Sequence, residues 1–156
     1  MRKLILRNLI IIFSAITLII NSCSTGSCYE KTESFLKASF YNYKTQKLQA
    51  PDSVTLYGLN MENSKIYYRA RGVQPALLPL NPATVSSTFI IKINGITDTL
   101  EFRYYSYPHL MSKECGFTYY HTLDTDRLFT KHAIINIYIG NRNITTVNEE
   151  NIRIFY

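Results

Sequence analysis

The side chains best suited to acid–base chemistry lie close together in the sequence, at His109, Ser112 and Glu114. An imidazole titrates near neutral pH and a nearby carboxylate can orient it, so this cluster is the candidate site for a hydrolase. The alternative, which we favour, is a loop histidine that hydrogen-bonds to the main chain. The sequence contains no nucleophile elbow, zinc-protease motif or phosphate-binding glycine loop. We therefore predict no catalytic residues and a protein that is not an enzyme.

Potential metal ligands occur a little further along the chain, at His121, Asp124, Asp126 and His132. Side chains of a strand alternate between its two faces, so His121 and Asp124 are expected to point in opposite directions. The cysteines show no paired spacing of the kind that binds zinc. The sequence therefore predicts neither a metal site nor a cofactor.

A candidate binding surface is formed by Arg103, Tyr105, Tyr107 and His109, which occupy every second position of one segment. Aromatic rings beside a guanidinium can stack on a sugar or cover an apolar patch of a partner protein. The alternative is that these tyrosines only occupy the solvated face of a sheet, as their strand propensity would explain. Further rings that we expect on strand faces are those of Tyr57, Tyr67 and Tyr120.

The segment that positions this surface follows a predicted hairpin turn at Asn94–Gly95, which separates two apolar runs. Asn-Gly tolerates the positive φ angles of a two-residue type I′ turn, and such a turn fixes the register, with Ile93 opposite Ile96. The charged residue Asp98 does not fit the apolar face, and we expect it to reach water near the turn. The residues predicted on that face are Phe89, Ile91, Ile93, Ile96, Leu100, Phe102 and Tyr104.

The rest of residues 34–156 also follows a period of two. Over residues 34–42 the apolar Leu36, Ala38 and Phe40 alternate with Lys37 and Ser39, which are expected outside. In a later segment we expect one face to carry Cys115, Phe117, Tyr119, His121 and Leu123. Outside the N-terminal segment no helical period of ten residues or more occurs. These patterns predict an all-β fold, an antiparallel β-sandwich of about seven to nine short strands of the immunoglobulin-like class.

Composition and charge limit the partners. With 156 residues, 46% hydrophobic and 18% charged, the chain suits one globular domain. The formal charge is +6, but Arg2, Lys3 and Arg7 lie in residues 1–22, and beyond these 14 Lys and Arg face 11 Asp and Glu. The remaining excess of positive charge is small, so we predict no nucleic-acid partner.

Residues 1–22 have the pattern of a signal peptide: a basic start, an apolar run over residues 9–20, and small residues before Cys23. The run is shorter than the roughly 18 apolar residues that span a bilayer, so a transmembrane helix is the less favoured alternative. The segment before Cys23 looks like a bacterial lipobox, which predicts lipidation of Cys23 and a membrane anchor. Residues 23–33 are then a polar tether.

Two further cysteines, Cys28 and Cys115, remain in a chain predicted to be exported. An even number of cysteines in an oxidising compartment is typical of a disulfide. A reactive thiol at Cys115 is the alternative.

Several segments match a known kind of protein: 38–42, 52–58, 78–80, 98–100, 107–109, 114–117 and 121–123, together with Ser112. With them the chain resembles a family of Bacteroidota lipoproteins built on a domain of unknown function. The resemblance implies an acylated envelope protein, a small all-β domain and a cysteine pair, and it carries no catalytic residues. Asp52–Val54 and Asp98–Leu100 also look like sites that bacteria of this phylum O-glycosylate, at Ser53 and Thr99.

Together these features predict a lipid-anchored cell-envelope protein, most simply a non-enzymatic binding or structural module. We expect it on the outer membrane, at the periplasmic face or the cell surface, with a glycan or another envelope protein as its partner. The alternative function is an envelope hydrolase that acts on glycans or peptides with His109 and Glu114.

Overall fold

The computed structural model describes residues 26–156, which form ten β-strands and no helix. Residues 1–22 and Cys23, to which the signal and lipidation predictions refer, lie outside the described part. Within residues 26–156 no helix has the length and hydrophobicity that crossing a bilayer requires. The strands are β1 (Phe35–Tyr41), β2 (Val54–Gly58), β3 (Tyr67–Ala70), β4 (Ala76–Pro79), β5 (Ser86–Ile93), β6 (Ile96–Ser112), β7 (Gly116–Phe129), β8 (Asn136–Ile139), β9 (Asn143–Ile144) and β10 (Ile152–Phe155).

The strands form a four-stranded sheet, in the order β4-β1-β10-β8, and a six-stranded sheet, in the order β3-β2-β5-β6-β7-β9. Apolar side chains of both sheets meet in one core, including Phe40 and Ile154 from the first and Leu56 and Phe102 from the second. The predicted all-β fold of two sheets is confirmed. The strands number ten, β6 and β7 are long at 17 and 14 residues, and β1 and β10 pair in parallel.

The predicted β5–β6 hairpin is confirmed in both turn and register. Asn94 and Gly95 have φ angles of 52° and 90°, and Ile93 pairs with Ile96. The prediction that Ile96 lies in the core was wrong, because its side chain is 51% exposed. β7 pairs with β6 only from Leu100 onward, so no strand flanks Ile96 on that side.

Asp98 is buried, at 1% exposure, although the sequence analysis expected it to reach water. Its Oδ1 accepts hydrogen bonds from the Thr130 hydroxyl (2.6 Å) and the His132 N–H (2.9 Å). The His132 ring Nδ1 lies 3.0 Å from the same oxygen. Its Oδ2 accepts from the N–H groups of Ala133 (2.7 Å) and Ile134 (2.9 Å). The prediction failed because the β7–β8 connection folds over this carboxylate and satisfies both of its oxygens.

These hydrogen bonds also set the acidity of Asp98. Burial by itself raises the pKa of a carboxyl group, since it penalises the charged form. The hydrogen bonds from the Thr130 hydroxyl and from three main-chain N–H groups outweigh the burial, and they hold the pKa of Asp98 below its usual value. The carboxylate is therefore the form that the folded protein requires.

The prediction that Lys37 and Ser39 lie outside was also wrong, since both are buried, at 7% and 6% exposure. The connection from β9 to β10 covers that face of β1. The Lys37 ammonium donates to the Thr145 carbonyl (3.3 Å), and Ser39 is hydrogen-bonded to Glu150. Burial lowers the pKa of Lys37. The face of β1 that looked solvated is therefore packed against a polar strap of the same chain.

Other connections between the sheets are held in the same way. The Tyr104 hydroxyl, on β6, donates to the Asn81 carbonyl (2.9 Å) and lies 2.7 Å from the Ser87 hydroxyl, which fixes the β4–β5 connection. The Asn151 amide accepts from the Lys37 N–H (2.9 Å) and donates to the Asn143 carbonyl (2.9 Å). The buried side chains of Tyr104 and Asn151 thus hold these connections.

The Asp98→Asn substitution should lower the free energy of unfolding by about 3 kcal/mol, since an amide group cannot accept every hydrogen bond that the carboxylate accepts. The difference should narrow as the pH falls below about 4, where an unfolded Asp carboxyl takes up a proton and the wild type loses this contribution. Urea unfolding at several pH values measures both effects.

Asp126→Asn is the matched control, because Asp126 is exposed. Its effect should stay within about 0.5 kcal/mol. Equal stabilities of the two variants would contradict the role that we assign to Asp98.

Candidate binding surface on the long hairpin

β6 and β7 form one long hairpin whose two faces carry different residues. Tyr107 pairs with Tyr120 and His109 pairs with Thr118, so these side chains share a face, together with Arg103 and Tyr105. We call it the outer hairpin face, because the adjoining residues Tyr104 and Leu123 point the other way, into the core. The structure thus brings the four predicted surface residues onto one face.

Four rings on the outer hairpin face form a continuous row. The rings of Tyr105 and Tyr107 are stacked, with centroids 6.3 Å apart and planes at 20°. Tyr107 meets Tyr120 edge to face at 6.2 Å, and His109 stacks on Tyr120 at 4.1 Å. We call Tyr105, Tyr107, Tyr120 and His109 the aromatic row. Tyr105 is 70% exposed, so one end of the row is open to a ligand.

Tyr120 is the member that the sequence analysis left outside its binding site. Its place beside Tyr107 depends on the β6–β7 register, and that register includes irregularities between Phe102 and Tyr104 and between Leu110 and Ser112. No two-residue turn of the Asn-Gly kind fixes this hairpin. Its alternation with His121 predicts which face of the strand Tyr120 lies on, but it does not predict that Tyr107 is the neighbour.

A groove of about 670 Å³ adjoins the open end of the aromatic row. Tyr105 forms one wall, and the charged lining consists of Glu101, Arg103, Asp124 and Arg142. The Arg142 Nε donates to a main-chain carbonyl of β7 (2.6 Å), which fixes its position in the wall. The two carboxylates and the two guanidinium groups balance in charge. The carboxylates can accept hydrogen bonds from a polar ligand, and the guanidinium groups can donate them.

The candidate hydrolase residues, His109, Ser112 and Glu114, contact different neighbours. His109 stacks on Tyr120, whereas the Ser112 hydroxyl accepts from the Cys115 N–H (3.0 Å) in the hairpin turn. Glu114 lies beside Gly26. Among the described residues no hydrogen bond joins His109 to Ser112 or Glu114, so the arrangement offers no oriented base beside a nucleophile.

His121 lies directly beneath the outer hairpin face. It is 2% exposed, its Nδ1 lies 2.8 Å from the Ser106 hydroxyl, and its ring meets Tyr104 edge to face at 5.4 Å. Burial lowers the pKa of His121. Asp124 is exposed on the opposite side, as the alternation predicts. In the part of the chain that the structure describes, no group of three or more His, Cys, Asp or Glu side chains could hold a metal ion.

Cys28 and Cys115 are joined by a disulfide, with Cα atoms 4.8 Å apart. The predicted inward face of β7 is only partly correct: His121 and Leu123 are buried, but Phe117 and Tyr119 are 71% and 48% exposed. The hairpin extends past the end of the facing sheet, so nothing in that sheet covers its far end.

The two candidate O-glycosylation residues lie in ordered main chain. Ser53 immediately precedes β2 and is half-buried, and its N–H donates to the Asn94 side-chain oxygen (3.1 Å). Thr99 is a half-buried residue of β6, and its N–H donates to the Thr130 hydroxyl (2.9 Å).

A second groove, of about 610 Å³, lies on β2, β3 and the β5–β6 turn. It carries Lys92, and the Lys65 ammonium lies 5.9 Å from the Tyr57 ring centroid and 5.6 Å from that of Tyr68. The sequence analysis missed this groove. Its residues meet only through the pairing of β2 with β5, which are distant in sequence.

The folded protein should lose stability as the pH falls below about 6.5, because an unfolded histidine then binds a proton that buried His121 resists. His121→Gln keeps a donor for Ser106 and removes the titration. We expect it to reduce the slope of the unfolding free energy between about pH 7 and pH 5, by up to about 1 kcal/mol per pH unit. Urea unfolding measures the slope, and an unchanged slope would contradict the buried neutral state of His121.

Comparison with known proteins gives a single family. The sequence profile of the Family of unknown function (DUF6452) matches residues 53–156, which contain Asp98, the aromatic row and the adjoining groove. No curated protein and no solved structure matches the chain. Since the matched region is most of its length, the chain belongs to the Family of unknown function (DUF6452).

Proposed function

We propose that this protein is a lipid-anchored module of the bacterial cell envelope whose outer hairpin face binds a glycan. The observation that carries the proposal is the aromatic row beside the charge-balanced groove. The proposal gives the protein a binding role and assigns no chemical step to its residues.

The aromatic row suits a sugar because the C–H groups on one face of a sugar ring are weakly positive, and the face of an aromatic ring is negative. The rings of Tyr105 and Tyr107 are nearly parallel, with centroids 6.3 Å apart, so this pair offers two neighbouring contact planes. A chain of sugar units can use both planes at once, whereas a single sugar can use only one. An oligosaccharide is therefore the better fit.

The groove supplies the polar groups that would bind the hydroxyl groups of a sugar. Hydroxyl groups donate to carboxylates such as those of Glu101 and Asp124, and they accept from the guanidinium groups of Arg103 and Arg142. Because the two signs of charge balance, a polyanion such as a nucleic acid gains little attraction there. The ligand that we propose is uncharged or carries few charges, and its binding should depend little on salt.

The anchor that we propose is an acylated Cys23, with fatty chains such as palmitate in the membrane. The lipobox-like residues before Cys23 and the resemblance to Bacteroidota lipoproteins support this part of the proposal. Two or more acyl chains hold a protein stably on a bilayer, whereas one chain holds it only marginally. The protein would then lie on the outer membrane, at its periplasmic face or at the cell surface.

We expect the double variant Tyr105→Ala, Tyr107→Ala to bind oligosaccharides from purified envelope polysaccharide about tenfold more weakly, or worse. Each stacked ring contributes roughly 0.5–1.5 kcal/mol, and two such contributions correspond to this loss. Isothermal titration calorimetry at two salt concentrations measures the affinity and its salt dependence.

Tyr138→Ala is the matched control, because Tyr138 is 53% exposed and lies on the other sheet. It should leave the affinity unchanged. Equal affinities of the double variant and the wild type would overturn the proposed site, and so would the absence of binding by the wild type.

A further inference from the structure

We propose that the tip of the β6–β7 hairpin lies on the membrane surface and inserts its apolar side chains among the lipid headgroups. This inference rests on the membrane anchor of the proposed function, and it goes further because it fixes which end of the domain faces the bilayer. It leaves the outer hairpin face directed away from the lipid.

The far end of the hairpin exposes a patch of apolar side chains. Leu110 pairs with Phe117 and Pro108 pairs with Tyr119, so all four side chains share the face opposite the aromatic row. Leu110 is 55% exposed and Phe117 is 71% exposed. We call these four residues the tip patch. Exposed apolar groups that lie together in this way mark a surface that contacts a partner or a membrane.

The start of the described chain is held at this same tip. The disulfide joins Cys28 to Cys115, which lies two residues before Phe117 in the sequence. Gly26 approaches the hairpin turn so closely that a Cβ on it would lie 2.6 Å from the Cγ of Glu114. The following residues run beside β7, where the Thr118 hydroxyl donates to the Thr32 carbonyl. The chain therefore enters the domain at the tip of the hairpin.

This entry point limits how far the tip can lie from a bilayer. Four residues lie between Cys23 and Cys28, which makes five steps along the chain, and an extended chain spans at most about 3.6 Å per step. An anchor at Cys23 thus keeps the tip within about 18 Å of the membrane surface. If the apolar run over residues 9–20 crossed the bilayer instead, seven residues would lie between Ile20 and Cys28, which makes eight steps, and the limit would be about 29 Å. Either anchor keeps the tip close enough for the tip patch to reach the lipid.

The chemistry of the tip favours lipid over an anionic or cationic partner. Charged residues near the disulfide are mixed in sign, namely Glu30, Lys31, Glu33, Lys113 and Glu114. Electrostatic attraction to an anionic surface is therefore weak, and burial of the apolar patch drives the contact. A tyrosine at the edge of an apolar patch is also typical of the boundary between lipid and water. The contact should form on uncharged lipid.

The chain contains no tryptophan, so one introduced indole reports on its own surroundings. We would reconstitute the full chain, extracted from membranes, into phosphatidylcholine vesicles whose acyl chains carry bromine. Phe117→Trp places the reporter in the tip patch, and Leu110→Trp is a second reporter there. Ile96→Trp is the matched control, because Ile96 is 51% exposed at the opposite end of β6.

We expect the full chain to float with the vesicles, the two tip reporters to shift to the blue and lose emission to bromine, and the Ile96→Trp reporter to do neither. If the chain floats but the tip reporters are no more quenched than the control, the tip inference is overturned while the anchor stands. A blue shift without quenching would show that a second copy covers the patch, and it would overturn the inference as well. If the chain does not float with the vesicles, both the proposed anchor and the tip inference are overturned.

Discussion

A buried carboxylate, that of Asp98, holds the β7–β8 connection, where the chain passes from the six-stranded sheet to the four-stranded one. The connection after β7 turns too sharply for its N–H groups at positions 132–134 to join either sheet, and an unsatisfied buried N–H costs about 1–3 kcal/mol. Both oxygens of Asp98 accept from these groups and from Thr130. β8 follows directly after this turn, so this carboxylate fixes where β8 begins.

Side-chain hydrogen bonds also hold other connections between the sheets. Tyr104 holds the connection from β4 to β5, and Asn151 holds the connections around β9. Gln74 serves the approach to β4, since its side-chain amide bonds both the N–H and the carbonyl of Phe40. Crossing segments have irregular backbone whose polar groups need partners, and here a few side chains provide them. The hairpin of β6 and β7 needs no such crossing, and it can extend past the core.

Local chemistry was enough to predict some of this structure. The positive φ angles that Asn94–Gly95 accepts gave the β5–β6 turn and its register. Periodicity predicted which residues share a face, but it could not predict what covers that face. Asp98 looked solvated and is buried by a distant connection, whereas Phe117 looked buried and is exposed past the end of the facing sheet. In the candidate site, alternation was enough to predict that Arg103, Tyr105 and Tyr107 share a face. The place of Tyr120 beside them depends on a register that the sequence does not specify.

The proposed function depends on one geometric relation: the disulfide ties the start of the domain to the hairpin tip, and the aromatic row lies on the hairpin face opposite the tip patch. The anchor that we propose at Cys23 would therefore orient the proposed binding surface. Intact-mass analysis of membrane-extracted protein, before and after reduction, tests this relation most directly. We expect the protein to have the mass of residues 23–156 plus acyl chains, and to gain two hydrogens on reduction. An unacylated chain that retains residues 1–22, or a mass unchanged by reduction, would contradict it.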